Sequence, residues 1–344
     1  MALLLASKFV LKLGLAKDEP FGCQKTHVHS VLRLGGVSLF VGLVVAACVG
    51  YLDNEVRGFL KATLIACSPV FLVGLMEDHL KSIAPYLRMV ASAISSFIIV
   101  LILDLTIQSV GIEWFDSWLV MYPLVSITFT VFAISGVIHA FNIIDGLNGL
   151  SSGVATVCLA SFAIIAQSCG DSTLMACCLV LVSITLGFWI VNWPLGKLFL
   201  GDSGAYLLGF SVAVLAILLP IRNVGVSPWA SLLVIIYPVA ETIISMLRRL
   251  LSFRSLAGAD SGHLHSVVFS IMRGQKTLEG RPLNVTNSLA GIICCFMAAV
   301  PATISILWFD DGPVLSSISL LALFIFGFML GMLRKFLDEK RIRG

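Results

Sequence analysis

The chain has 344 residues, of which 58% are hydrophobic and only 12% charged, and its mean hydropathy is +1.03. A soluble domain of this length does not carry so few charges, so the composition excludes one and makes the lipid bilayer the chain's solvent. The net charge of +3 comes with no clustered basic face, so no nucleic-acid partner is expected.

Crossing the hydrocarbon takes about 20 mostly apolar residues as helix. From the N-terminus, the stretch 2–16 is shorter than that and carries Lys8 and Lys12 one turn apart. It reads as a shortened first span, with a segment lying in the interface as the alternative. No small-residue cleavage site follows it, so a removable signal peptide is not expected. Spans are predicted near 34–52, 57–75, 87–108, 118–141, 148–168, 172–192, 204–220, 228–247, 287–308 and 314–333. The predicted fold is all-α: a polytopic transmembrane helical bundle of about 10–11 helices, forming one domain over 1–344. The longest polar stretch, 249–286, reads as one loop, with an interfacial helix predicted at 266–274.

One set of alternate loops gathers 17 of the 22 Lys and Arg residues. Positive charge is retained on the cytoplasmic side, so these loops and the C-terminus are expected there. Of the nine cysteines, seven fall in apolar runs without a CxxC pair and read as small buried hydrophobes.

In so apolar a chain each conspicuous acid or histidine is a candidate for function, because placing it near lipid is costly. On the expected outer side, Asp53, Glu55, Glu113, Asp116, Asp171, Asp310 and Asp311 sit in short turns and read as solvated loop charge. On the expected inner side five segments differ. Glu77-Asp78 ends an apolar span with adjacent carboxylates, which repel unless a divalent ion or a basic partner neutralises them; a solvated helix cap is the plainer reading. His139-Ala-Phe-Asn142-Ile-Ile-Asp145-Gly-Leu-Asn148-Gly repeats a polar residue every three positions. On a helix Asn142, Asp145 and Asn148 would share a face, suited to a nucleobase edge, a ribose or hydrated magnesium, or else to a polar seam between spans.

The third segment, Asn192-Trp-Pro-Leu-Gly-Lys197-Leu-Phe199-Leu-Gly201-Asp202-Ser203-Gly204, presents an acid between glycines where a helix begins. A Gly-Asp-Ser turn with an N-cap explains part of it and leaves Asn192 and Lys197 without a role. The fourth holds Arg248, Arg249 and Arg254 before Asp260-Ser-Gly-His263-Leu-His265. Histidines at i and i+2 share a side only on extended backbone, so this loop is predicted to be non-helical if they act together; with the arginines it resembles a diphosphate clamp, zinc being the competitor. The fifth, Lys25-Thr-His27-Val-His29-Ser-Val-Leu-Arg33-Leu-Gly35-Gly36, reads equally as a phosphate loop or as topology signal. All five fall on one side of the predicted spans. Acids for a divalent ion, amides for a nucleoside and cations for phosphates at a lipid boundary specify phosphoryl transfer from a nucleotide to a membrane-resident acceptor.

Together the five ordered segments, from about Lys25 to His265, resemble the polyprenyl-phosphate N-acetylhexosamine-1-phosphate transferase family, and more distantly phospho-MurNAc-pentapeptide translocase. The resemblance implies that undecaprenyl phosphate attacks the β-phosphate of a UDP-N-acetylhexosamine, most simply UDP-GlcNAc. UMP would be released and a lipid-linked diphospho-sugar formed, initiating O-antigen or another surface polysaccharide. It further implies Mg2+, or Mn2+ in its place, a multi-pass location in the bacterial cytoplasmic membrane with the active site facing the cytoplasm, and leaves room for a homodimer. By motif position, Asp78, Asp145 and Asp202 would be catalytic, with Asp202 and Asp145 on the metal and Phe199 on uracil. Lys25, Glu77, Asn142, Asn148, Asn192, Arg254, His263 and His265 would bind substrate.

The chain departs from the family pattern where an Asp-Asp pair becomes Glu77-Asp78, where the second acid of Asp-Gly-x-Asp-Gly becomes Asn148, where Pro-x-x-Asp reads Pro238-Val-Ala-Glu241, and where a third histidine is Ser266. Two rival expectations stand beside the enzyme. A transporter would place acids at the midplane and show inverted repeats, which the sequence lacks; a non-catalytic paralogue is motivated by Asn148 and Glu77.

Overall fold

The computed structural model describes residues 17–18, 31–251, 262–274 and 283–343. The stretch 2–16 and the predicted substrate residues Lys25 and Arg254 lie outside the described residues. Two short strands, β1 (Lys17–Asp18) and β2 (Val31–Leu32), pair antiparallel. The remaining elements are helices: α1 (Gly35–Cys48), α2 (Asn54–Leu80), α3 (Pro85–Leu103), α4 (Glu113–Met121), α5 (Pro123–Ile143), α6 (Leu150–Ser168), α7 (Ser172–Asn192), α8 (Gly201–Arg222), α9 (Pro228–Val234), α10 (Ile236–Leu251), α11 (Leu264–Arg273), α12 (Leu283–Leu307) and α13 (Gly312–Arg343).

All ten predicted spans are helical, but not all of them are single crossing helices. Among the described residues eight helices are long and apolar enough to cross a membrane, or nine if α9 and α10, bent by 76° at their junction, form one broken span. The run at 34–52 yields only the 14-residue α1, about 21 Å of helix at 1.5 Å per residue. The run at 118–141 is divided, because Pro123 cannot continue the preceding helix and instead starts α5. Proline also opens α3 and α9, where a missing N–H costs nothing. The predicted interfacial helix at 266–274 is α11, which begins two residues earlier and buries Leu264, Val267, Val268 and Phe269.

α8 is the axis of the bundle. It packs against α1, α2, α5, α6, α7 and α9, and 83% of its apolar window is buried, against 22% for α13. The outward faces are greasy, with Phe132, Ile190, Phe324 and Phe328 exposed, as lipid contact requires. At one end α4 presents Trp114 and Trp118, residues that favour the membrane boundary. α3 runs from that end to the other, where the predicted motifs lie.

Candidate active site at the motif end of the bundle

The first amides of a helix lack intrahelical partners, and Leu200, before α8, offers no side-chain cap. Asp78, fully buried at the end of α2, supplies it from a distant part of the chain. Its Oδ1 accepts the Asp202 N–H at 2.8 Å, and its Oδ2 accepts the Ser203 N–H at 3.1 Å and the Ser203 hydroxyl at 2.7 Å. The contact requires Gly201, whose φ is +74° and whose hypothetical Cβ would lie 2.6 Å from Asp78 Oδ1. Residues 32–36 complete the junction: Phe199 N–H donates to the Leu32 carbonyl, and Gly35 and Gly36 N–H donate to the carbonyls of Phe199 and Leu200, each at 2.9 Å. The main chain of Phe199 is thereby fixed while its side chain stays partly exposed.

Asp202 follows this cap with its side chain 19% exposed, and Arg88 Nη1 lies 3.4 Å from its Oδ2. Arg33 Nη1 lies 3.9 Å from Asp78 Oδ1. Glu77 serves the intervening turn, its Oε2 accepting the Ile83 N–H at 2.7 Å, which fixes the start of α3 and hence Arg88. Deeper in the bundle, the fully buried ring of Tyr206 meets His139 edge-on at 5.6 Å, and His139 Nε2 lies 3.0 Å from Ser92 Oγ.

The predicted polar stripe is not a helix face. α5 ends at Ile143 and α6 starts at Leu150, so Asn142 is the one helical member and Asp145 and Asn148 lie in a turn closed by Gly149 at φ +74°. The two point to different partners. Asp145 is partly buried, and its carboxyl is pushed up to about 8, chiefly by loss of water, with the Asp202 and Asp78 charges adding to the rise and Arg33 opposing it. Asn148 is buried towards α12, its N–H donating to Asn287 Oδ1 at 2.7 Å and its Nδ2 to Ser288 Oγ at 3.2 Å. Asn192 is likewise a brace, accepting the Gly149 N–H and donating to the Leu198 carbonyl.

The two histidines converge, though not as an extended pair. His263 is the extended N-cap of α11 (φ −73°, ψ 152°), and His265 is already helical. Their rings stack at 5.4 Å and 6° and both face Glu241, a buried acid of α10. Glu241 Oε2 accepts the Leu264 N–H at 3.1 Å, and its Oε1 accepts the His265 N–H at 3.2 Å with His265 Nδ1 at 3.1 Å; His263 Nδ1 lies 3.5 Å from Oε2. A carboxylate accepts only, so His265 Nδ1 carries the proton and Nε2 is left for other use. Nε2 lies against Gly146, where an added Cβ would stand 2.6 Å away. That contact joins the His-x-His segment to Asp145.

Sequence reasoning assigned no site role to Arg88, Glu241 or Ser203, and took Arg33 only as part of a loop read equally as phosphate loop or topology signal. Arg88 carried a signal: a cation in the first turn of a helix opposes the helix dipole and needs an anion nearby. Arg248, grouped with the diphosphate clamp, instead donates within the chain, to Gly262 and Ser245. On the other side of the bundle Asp171 is not a free loop charge: it caps α7 and takes a bidentate pair from Arg222, which holds its carboxyl below the usual range.

Among the described residues no three His, Cys, Asp or Glu side chains are grouped to hold a metal ion. Magnesium does not need such a cage, since it keeps water and binds through one or two carboxylates with substrate phosphate. Asp145 and Asp202, close enough to repel, fit that requirement.

The fold and site define a multi-pass helical membrane protein with carboxylates, guanidiniums and a histidine gathered at one end of its bundle. The chain is matched by the profile of glycosyl transferase family 4 over residues 60–220. It is 29% identical over 332 residues to the undecaprenyl-phosphate alpha-N-acetylglucosaminyl 1-phosphate transferase of Salmonella typhi, covering 95% of this chain and 86% of that protein. To the protein of the same name in Escherichia coli (strain K12) it is 27% identical over 338 residues, covering 95% and 87%. A probable undecaprenyl-phosphate N-acetylglucosaminyl 1-phosphate transferase of Bacillus subtilis (strain 168) is 28% identical over 264 residues, covering 76% and 71%.

Proposed function

We propose that the chain transfers GlcNAc 1-phosphate from UDP-GlcNAc to undecaprenyl phosphate. A phosphate oxygen of the lipid bonds to the β-phosphorus of the donor, the bond from that phosphorus to the bridging oxygen breaks, and UMP leaves with the electron pair. The observation that carries this reading is the meeting of Asp202, Arg88, Asp145 and His265 at one end of the bundle, in a chain whose relatives are named for this transfer.

Asp202 and Asp145 would hold Mg2+, which when bound would neutralise charge on the diphosphate. Arg88 offers a guanidinium to a phosphate oxygen beside Asp202, and His265 would offer Nε2 from its place against Gly146. A lipid phosphate is largely ionised at neutral pH, its second pKa being near ~6, so no base need take a proton from it. That leaves Asp78 free for what its bonds describe: holding α8 and setting the backbone of Asp202. The excess of Lys and Arg around this end supports a cytoplasmic orientation in the inner membrane, where a soluble nucleotide sugar meets a tethered phosphate. A role in O-antigen or related polysaccharide initiation follows from the product.

Membranes containing the protein, incubated with labelled UDP-sugars, undecaprenyl phosphate and Mg2+, test the reading. Label in the organic phase with UDP-GlcNAc is expected. Absence of label with every UDP-N-acetylhexosamine would remove the enzyme reading, and a preference for another sugar would replace the substrate.

A further inference from the structure

Gly262, directly before the His-x-His pair, is gripped from two helices. Its carbonyl accepts Arg248 Nη1–H at 2.6 Å and Arg334 Nη2–H at 2.9 Å, one guanidinium from α10 and the other from the far part of α13. Two charge-assisted bonds on one carbonyl use both of its lone pairs. Arg248 is steadied in turn by its bond to Ser245 Oγ at 3.1 Å. A Cβ at position 262 would meet both guanidiniums, so glycine lets the two arginines close on this carbonyl without shifting. Immediately downstream, Glu241 takes the amides of Leu264 and His265. The peptide units at 262–265 are therefore held between two cations on a carbonyl and one carboxylate on the amides, and His265 reaches Gly146 as the result.

We propose that Arg334 and Arg248 are positioning residues for the transfer: through the Gly262 carbonyl they fix the start of α11, and with it the place of His265 beside Asp145. The last helix of the chain, the least buried of the crossing helices, thereby belongs to the active site, although it lies outside the matched segment 60–220. The kinetic part of the test rests on the proposed transfer; the structural part does not.

The experiment uses the purified full-length protein in detergent, as wild type, Arg334→Gln, Arg334→Lys, Arg248→Gln and the double glutamine variant. Arg334→Gln is expected to lower kcat about tenfold, the size of effect found when a supporting partner of a site residue is lost, with the melting temperature little changed and Arg334→Lys recovering part of the loss. The double variant should lose less than the product of the single losses, because both residues act on one carbonyl. Independently of activity, hydrogen exchange at the amides of Leu264 and His265 should quicken in Arg334→Gln while α6 stays protected. Unchanged kcat together with unchanged exchange overturns the proposal; so does a uniform loss of protection with kcat per folded molecule unchanged, which makes Arg334 a packing residue. If Arg334→Gln does not fold, Arg248→Gln supplies the same two readouts. A wild-type protein that transfers no sugar phosphate, but whose amides at 264 and 265 respond to Arg334→Gln, removes the substrate reading and retains the grip.

Discussion

Two helix starts in this molecule are capped in the same way and serve different ends. At α8, Asp78 from α2 accepts the first amides; at α11, Glu241 from α10 does so. Both acids are almost wholly buried, but Asp78 comes from a helix distant in sequence and Glu241 from the helix just before α11. The cap at α8 supports an acid whose side chain reaches solvent, Asp202. The cap at α11 supports an imidazole and also bonds to it. A buried carboxylate in this family of motifs is thus read best by what it accepts: Asp78 is satisfied by amides and a hydroxyl, whereas Glu241 sets the proton on His265.

The comparison breaks most visibly at the first cap. Asp202→Asn should lower transfer by at least about a thousandfold, as loss of a principal charge at a phosphoryl-transfer site does, while the melting temperature stays within a few degrees. Asp78→Ala should lose activity and stability together, by about 3 kcal/mol, because three buried donors lose their acceptor. Thermal unfolding in detergent alongside the transfer assay separates the two. An Asp78→Ala protein as stable as wild type would show that Asp78 is a reagent and not a cap.

At the second cap the effect is smaller. Glu241→Gln keeps one acceptor oxygen but no longer secures the proton on His265 Nδ1, and should cost about 10–100-fold in kcat. Unaltered kcat would reduce Glu241 to a helix cap like Asp78.

A third test concerns Asp145. Its carboxyl is raised to about 8, above an unfolded value near ~3.9, so the folded protein keeps the proton longer and ionising Asp145 costs stability as pH rises through that interval. A divalent cation pairs with the ionised form and displaces the proton. The rise in melting temperature given by Mg2+ should therefore be larger at pH 8.5 than at pH 6, and a pH-independent rise would place the ion elsewhere. Chelation should reverse it.

The smallest effect belongs to the opposite side of the bundle. Asp171 is held below its usual range by Arg222, whose side chain is 41% exposed, so solvent screens the pair and Asp171→Asn should cost only about 1 kcal/mol. The contribution is present above the unfolded pKa and is lost as pH falls through the folded one. Wild type and variant should therefore converge in stability only in acid, below the ordinary carboxylate range.

The bundle was legible because hydrophobic runs are long and lipid punishes any other backbone. Its breaks were less so: the predicted spans ran straight through Pro123, which starts α5, and through the 76° bend near Ile235, where Pro238 in the first turn of α10 has no N–H for the Val234 carbonyl and crowds it. The gathering of acids and histidines at one end was legible from spacing and charge bias. Which way each side chain turned was not. Asn142, Asp145 and Asn148 looked like one face only while the segment was taken as helix; the helix ends at Ile143, and the turn closed by Gly149 sends Asn148 towards Asn287 and Ser288. Arg334 could be read only as a topology charge and Arg248 only as part of a diphosphate clamp, because the carbonyl they share lies far from Arg334 in sequence and has no side chain to mark it.

The central claim, transfer of a sugar phosphate and not of a sugar, is tested most directly by following the two phosphorus atoms of the donor. With purified protein, undecaprenyl phosphate, Mg2+ and UDP-GlcNAc labelled at either position, the account predicts that β-phosphorus label moves with the sugar into the lipid phase while α-phosphorus label leaves in UMP. Lipid carrying the sugar without the β label, with both phosphorus atoms recovered in UDP, would contradict it.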